Sequence, residues 1–301
     1  MQGLLNRMSL TADAVDIQPA LIGDRAAIHA LTENTHRVHF NLDWWTFDNW
    51  LYPDRPSDAI WLARFNHELI GLLLAPFDRS PSVWLRSIAI ANGYSADPIF
   101  AALLKHAVAA LQSQGAERVT ALAHPEWLLD LLRRSGFTLY NEIVTFRKSD
   151  RALPDAAPAR SYQARVRPAT RDDIPAIVRN DRAAFDVAWW HSAGLIEHIL
   201  EAVSHFVVAE IDDRVVGHAF SDLYGGQGHL IRLVVHPDYQ RRSIGEQLLM
   251  ESLRYQMDLG AQPFTLNTQV DNVVSQALYR RYGYQAVGRP VRVMQKVIMN
   301  E

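Results

Sequence analysis

The chain repeats itself. Ile17-Gln-Pro-Ala20 is matched by Val166-Arg-Pro-Ala169, Trp44-Trp45 by Trp189-Trp190, and the run around Gly71 (ELIGLLLA) by the run around Gly217 (RVVGHAFS). Trp84-Leu-Arg86-Ser-Ile-Ala-Ile90 is matched by Leu230-Ile-Arg232-Leu-Val-Val-His236, and Ser135-Gly136-Phe137 by Tyr282-Gly283-Tyr284. Trp44 and Trp189, Gly71 and Gly217, Arg86 and Arg232, and Gly136 and Gly283 lie 145 to 147 residues apart. Five pairs in one order at nearly one spacing imply a tandem duplication, so the fold must close within about 150 residues, and do so twice.

Composition narrows the classes. Of 301 residues, 49% are hydrophobic and 21% charged, the mixture of a soluble globular protein. The net charge of −3 has no polyelectrolyte character, which argues against nucleic acid or an anionic membrane as partner. There are no cysteines, which removes disulfides, cysteine-ligated zinc and any acyl-cysteine intermediate. The first residues (MQGLLNRMSLTADAVD) carry an apolar patch broken by Asn6 and Arg7, too weak for a signal peptide, and no apolar run reaches membrane-spanning length. A cytoplasmic location is the expectation.

The Ala-, Pro- and charge-rich run from Arg147 to Ala164 has neither helical nor strand periodicity and reads as a linker. The expected boundaries are an N-terminal extension at 1–14, a first copy at 15–148, a linker at 149–164 and a second copy at 165–301. In the second copy the pattern predicts a strand at Arg165–Pro168, helices within Asp172–Phe185 and His191–Val203, and strands at Phe206–Ile211, Val215–Asp222 and Gly228–His236. A helix over about Ile244–Leu259, a strand at Phe264–Val270, a helix at Asn272–Tyr282 and a closing hairpin through Met294 follow. Early antiparallel strands and a late strand–helix–strand–helix unit indicate an α/β sheet covered by helices.

Two stretches of the second copy carry chemistry. After the strand-like LIRLVVHP come Gln240-Arg241-Arg242-Ser243-Ile244-Gly245, where a helix start would offer amide donors and a positive dipole end to phosphate oxygens. Then Asn272-Val-Val-Ser275-Gln-Ala-Leu278-Tyr279 opens a helix that closes at Gly283-Tyr284. Taken by themselves, the loop also reads as an ordinary strand-to-helix turn with solvated arginines, and Tyr279 as an aromatic core residue. Together they resemble the acetyl-CoA-binding core of the GNAT acetyltransferase superfamily, whose loop reads Gln/Arg-x-x-Gly-x-Gly/Ala.

That resemblance implies an α/β (α+β) fold of two tandem GNAT-like domains, each a mixed, mostly antiparallel twisted sheet flanked by helices and splayed where acetyl-CoA enters. It implies that a strand bulge around Leu233, Val234 and Val235 holds the thioester carbonyl by a backbone N–H. Gln240, Arg241, Arg242, Ser243, Ile244, Gly245 and Glu246 would hold the diphosphate, Asn272 would contact the cofactor, and Tyr279 would protonate the departing thiolate. His229 falls near where some relatives carry a general base, although a strand-end histidine in solvent fits it equally well. Ser243 departs from the family, which has a glycine there. A serine forced to positive φ costs about 1–2 kcal/mol, whereas a serine N-cap would be favourable.

The first copy lacks this machinery. Its counterpart of the loop is Tyr94-Ser-Ala-Asp97-Pro98-Ile99, and its counterpart of the tyrosine helix, Glu126–Ser135, contains no tyrosine. It reads as a GNAT-like domain that has lost coenzyme A binding and serves as a scaffold or a wall of the acceptor site. Trp189-Trp190 could line an acceptor pocket, but the same pair at Trp44-Trp45 favours packing. The His36/His39 and His191/His198 groupings lack metal-ligand support, and no metal is expected. The expectation is direct transfer of acetyl from acetyl-CoA to a small-molecule or peptide amine by a monomer or homodimer. The alternatives are a non-catalytic acyl-CoA-binding or sensor protein, and a scaffold that binds no coenzyme A.

Overall fold

The computed structural model describes residues 10–42, 45–77, 81–154 and 164–298. The chain forms two compact units, Met1–Tyr140 with Arg292–Glu301, and Asn141–Val291.

In the first unit, β1 (Asp16–Pro19), α1 (Arg25–Asn34), β2 (Arg37–Phe40), β3 (Ile60–Phe65) and β4 (Glu68–Leu74) are followed by β5 (Ser82–Leu85) and β6 (Ser87–Ile90). Then come α2 (Ala96–Ser113), β7 (Arg118–Ala123), α3 (Glu126–Arg134) and β8 (Thr138–Lys148), whose residues from Asn141 on belong to the second unit. The second half follows a similar order, with a helix in place of β2 and one strand in place of β5 and β6: β9 (Arg165–Pro168), α4 (Ile174–Ala184), α5 (Ala193–Ala202), β10 (His205–Ile211), β11 (Arg214–Tyr224) and β12 (Gln227–Val235). It continues with α6 (Ile244–Asp258), β13 (Phe264–Gln269), α7 (Val273–Arg281) and β14 (Gln285–Val297).

Strand pairing shows the duplication at the level of register. Ile17 faces Ala63 and Val166 faces Ala209 in antiparallel pairs. The β3–β4 ladder slips between Ala63 and Arg64, and the β10–β11 ladder between Ala209 and Glu210, 146 residues on. Ser82 runs parallel to Arg118 as Gly228 runs parallel to Phe264. Gly71 and Gly217 mark the same place, where a helix crosses the sheet closely. A Cβ would meet Ile99 at 2.5 Å at the first position and the Val234 carbonyl oxygen at 2.7 Å at the second. Only a glycine satisfies that approach.

The last strands depart from expectation. Among the described residues no hairpin follows α7: β14 is one 13-residue strand, and its residues Arg292–Val297 belong to the first unit, where they pair antiparallel with β7. Reciprocally, Ile143–Lys148 of β8 pair with β13 in the second unit. Each unit is thus completed by a strand from the other half of the sequence, so the compact units do not coincide with 15–148 and 165–301. Local patterning reveals a strand but not its partner, because backbone hydrogen bonds carry no sequence label. The linker expected at 149–164 lies outside the described residues over 155–163, as does the extension at 1–14 up to residue 9; Leu10 already belongs to the first unit's core.

Candidate active site

The site grows from a split in the second unit's sheet. Strands β12 and β13 pair only from Gly228 to Leu230 against Phe264 to Leu266. Beyond that point β13 continues on Ile143–Lys148 and β12 on β11 alone. Phe220 faces Arg232 whereas Ser221 faces Leu230, so Ile231 is the extra residue of a bulge. That bulge falls two residues earlier than expected. Leu233, Val234 and Val235 lie in regular pairing with Ala219, His218 and Gly217, on the stretch whose other edge faces the split. The bulge restores alternation, so Leu230, Leu233 and Val235 pack on the α6 side while Arg232 turns to α4.

After β12 the chain makes a single 3-10 turn, Pro237–Tyr239, and enters α6 through two left-handed residues, Arg241 and Ser243, each at φ 61°. Ser243 stands at the N-cap position and makes no side-chain capping bond, so the strained option is the one realised. The first-turn amides of Ile244, Gly245 and Glu246 have no acceptor within the helix. A Cβ built on Gly245 would come within 3.5 to 3.8 Å of Leu233, Val235 and Leu278. Strand, loop and tyrosine helix therefore converge on that glycine.

The side chains of the loop are partly engaged. Gln240 Nε2 donates to the Val235 carbonyl at 3.1 Å. Arg242 donates to the Asp238 carbonyl and lies 5.1 Å from the Tyr239 ring, while Arg241 is exposed. The Glu246 carboxylate accepts from the Tyr282 hydroxyl at 2.9 Å and pairs with Arg281 at 2.9 Å, so at this position only the backbone faces outward as a donor. Asn272 caps α7 by accepting from the Ser275 amide at 3.2 Å. Tyr279 is buried against Phe146 and Tyr284. Burial pushes its phenol up to about 12, against a smaller opposing effect of its hydrogen bond with Ser275, and it keeps its proton at neutral pH. His229 Nδ1 lies 2.8 Å from the Thr265 hydroxyl, and burial lowers its pKa. It is not a solvated strand end.

A buried polar layer on the opposite face of the sheet escaped the sequence reading. Asp181 of α4 is fully buried and accepts from Arg232 Nε at 3.0 Å and Nη2 at 2.6 Å; its other oxygen accepts from the His191 amide at 3.0 Å. Arg232 also donates to the Trp189 carbonyl at 2.8 Å and lies 3.7 Å over the Phe185 ring. His218 is 0% exposed, neither ring nitrogen has a hydrogen-bond partner, and desolvation followed by Arg232 takes its pKa down to about 3. The signal was present: Asp181 stands four residues after Ile177 on the buried face, and His218 stands where the first copy has Leu72. The Trp190 indole donates to the Phe185 carbonyl at 2.8 Å, a packing role, and Trp44 lies outside the described residues.

Residues 170–284 match the model of the acetyltransferase (GNAT) family. The second unit belongs to the GNAT family. The matched residues include the split in the sheet and the loop-to-helix entry. An N-alpha-acetyltransferase of Sulfurisphaera tokodaii is 27% identical over 136 residues, 41% of this chain and 81% of that protein. Over the whole length, the GCN5-related N-acetyltransferase from Sphaerobacter thermophilus has a TM-score of 0.63 at 15% identity, covering 97% of this chain and 98% of its own. A tandem GNAT protein from the clavulanic acid biosynthesis pathway has a TM-score of 0.59 at 14% identity, covering 95% and 99%. The GNAT fold is therefore present twice in this chain.

Proposed function

We propose that this protein is an acetyl-CoA-dependent N-acetyltransferase that moves acetyl directly to an amine at its second unit. The carrying observation is the convergence at Gly245 of the β12 edge, the first turn of α6 and the tyrosine helix, beside the split in the sheet. The N-alpha-acetyltransferase relative supports an amine, on a small molecule or a peptide, as acceptor.

Acetyl-CoA supplies the thioester. The α6 amides and the Arg241 and Arg242 side chains hold its diphosphate, with Ser243 shaping the entry and Asn272 fixing the start of α7. Backbone N–H groups of β12 after the bulge, at Leu233 to Val235, polarise the carbonyl as a small oxyanion site. The amine nitrogen bonds to the carbonyl carbon, the carbon–sulfur bond breaks, and the sulfur takes the Tyr279 proton. His229, neutral at pH 7, accepts the proton that the amine loses. The first unit has no phosphate cradle in this scheme: Asp97 occupies the first turn of α2, paired with Arg134.

Calorimetric titration of acetyl-CoA into the wild type and into Arg241→Glu/Arg242→Glu tests the reading. Micromolar binding that disappears in the double variant is expected. No binding by the wild type overturns the enzyme reading, and binding that survives reversal of both charges overturns the placement of the phosphate. A sensor rather than an enzyme is indicated if wild type binds but releases no thiol with any amine of a broad panel.

A further inference from the structure

The second unit contains a cavity of about 380 Å³ between α4, the start of β11 and the turn after β12. Arg179, Asn180, Arg214, His236 and Tyr239 supply its polar lining, with Val215 and Val216 at the back. No carboxylate lines it; the nearest in sequence are Asp181, whose oxygens are taken by Arg232 and the His191 amide, Asp212 and Asp213, which form the turn before β11, and Asp238, which is exposed and 3.7 Å from His236. Several other arginines of the unit are engaged. Arg167 pairs with Asp173 and Glu210, Arg171 with Glu197 and Glu201, and Arg232 with Asp181. Among the described residues Arg179 and Arg214 have no ion-pair partner.

The first unit offers a control. At the same positions of the repeat it carries Ala30, Leu31, Glu68, Ile90 and Gly93. The shared scaffold therefore does not require a basic, aromatic lining here. Two guanidinium groups facing one concavity repel each other and gain nothing from packing, whereas their planar forks match the oxygens of a phosphate or carboxylate.

We propose that this cavity is a binding site for the dianionic group, a phosphate monoester or a dicarboxylate, of a small molecule other than acetyl-CoA. Arg179 and Arg214 clamp the anion from two elements, and the Tyr239 hydroxyl and His236 ring complete the donor set.

Inorganic phosphate and succinate, titrated calorimetrically into the full chain at neutral pH, test the proposal. Both arginines are exposed, so Arg179→Gln/Arg214→Gln is compatible with folding, which circular dichroism checks. Saturable binding of either probe by the wild type, weakened about tenfold or more in that variant and within about twofold of wild type in the loop variant Arg241→Glu, is expected. Absence of saturable binding of both probes, or binding unchanged in the cavity variant, overturns the proposal. Loss in the loop variant alone means that the probe reports the cofactor loop, and also overturns it. Acetyl-CoA titration separates the sources: unchanged affinity in the cavity variant is expected, and a parallel loss there means that the cavity belongs to the donor substrate. The acetyl-CoA measurement on wild type stands or falls independently of the phosphate result.

Discussion

The two units lay the same strands in the same register but fill one face of the sheet differently. Under α1, the first unit packs an aliphatic layer: Ile28, Leu31, Ile60, Leu62, Leu72 and Leu74 are all buried, with Thr32 bonding the Ile28 carbonyl. Under α4 the matching positions are Ile177, Asn180, Phe206, Val208, His218 and Phe220, with Asp181 in place of Thr32. Burying an unpartnered polar group costs on the order of 1–3 kcal/mol, and a buried ion pair adds little net stability to offset it. Stability alone favours the first unit's solution. The second unit, which carries the proposed phosphate loop, retains the costly one.

Several measurements would break or sharpen this contrast. The largest effect belongs to Tyr279→Phe, expected to lower turnover by about 10²–10⁴ while leaving acetyl-CoA affinity within about twofold, as for loss of a general acid. Unchanged thiol release would return Tyr279 to the core. Next, Asp181→Asn leaves the Arg232 guanidinium buried beside a neutral amide and should destabilise the protein by about 3–5 kcal/mol in urea melts. Thr32→Ala, its counterpart, should cost only about 1 kcal/mol; equal losses would dissolve the distinction between the layers.

His218→Leu installs the first unit's residue. It should leave stability at pH 7 equal or raise it by about 1–2 kcal/mol. It should also blunt the response to acid. Because the folded-state pKa of His218 is about 3, below its unfolded value, its contribution is fully present above about pH 6.5 and is lost as pH falls toward 3. The slope is on the order of 1.4 kcal/mol per pH unit. Urea midpoints at pH 6.5 and 4.5 should therefore diverge less in the variant than in wild type, which retains His39 and His205 as shared acid-labile groups, each lowered to about 4 by burial. Smallest of all, Ser243→Gly relieves a left-handed serine but adds unfolded-state entropy, for a net gain under about 1 kcal/mol. A clear loss of stability would mean that the serine side chain holds the turn.

Much of this was legible from residues alone. The repeat, the strand–helix order, and the loop-to-helix entry at Gln240–Gly245 followed from periodicity and spacing, because apolar alternation and helix-start chemistry are local properties. The bulge was foreseen but placed at Leu233–Val235 instead of Ile231, since a one-residue slip in register leaves no mark on composition. Glu246 was grouped with the phosphate residues, and only the fold revealed that its side chain is taken by Tyr282 and Arg281. For His229 a general base and a solvated strand end after a Gly-rich turn were both open, and the ladder with β13 places Thr265 against its ring.

By itself the sequence determined that one domain was used twice and that only the second copy carries the Gln240–Gly245 loop before a helix and the tyrosine helix. Tertiary structure decided which strand completes which unit, where the sheet splits, and that Asp181, Arg232 and His218 share one buried layer. The physical reason is range. Propensity, capping and turn chemistry act over a few residues, whereas strand partnership and the pairing of buried charges depend on groups tens or hundreds of residues apart, which meet only when the chain is packed.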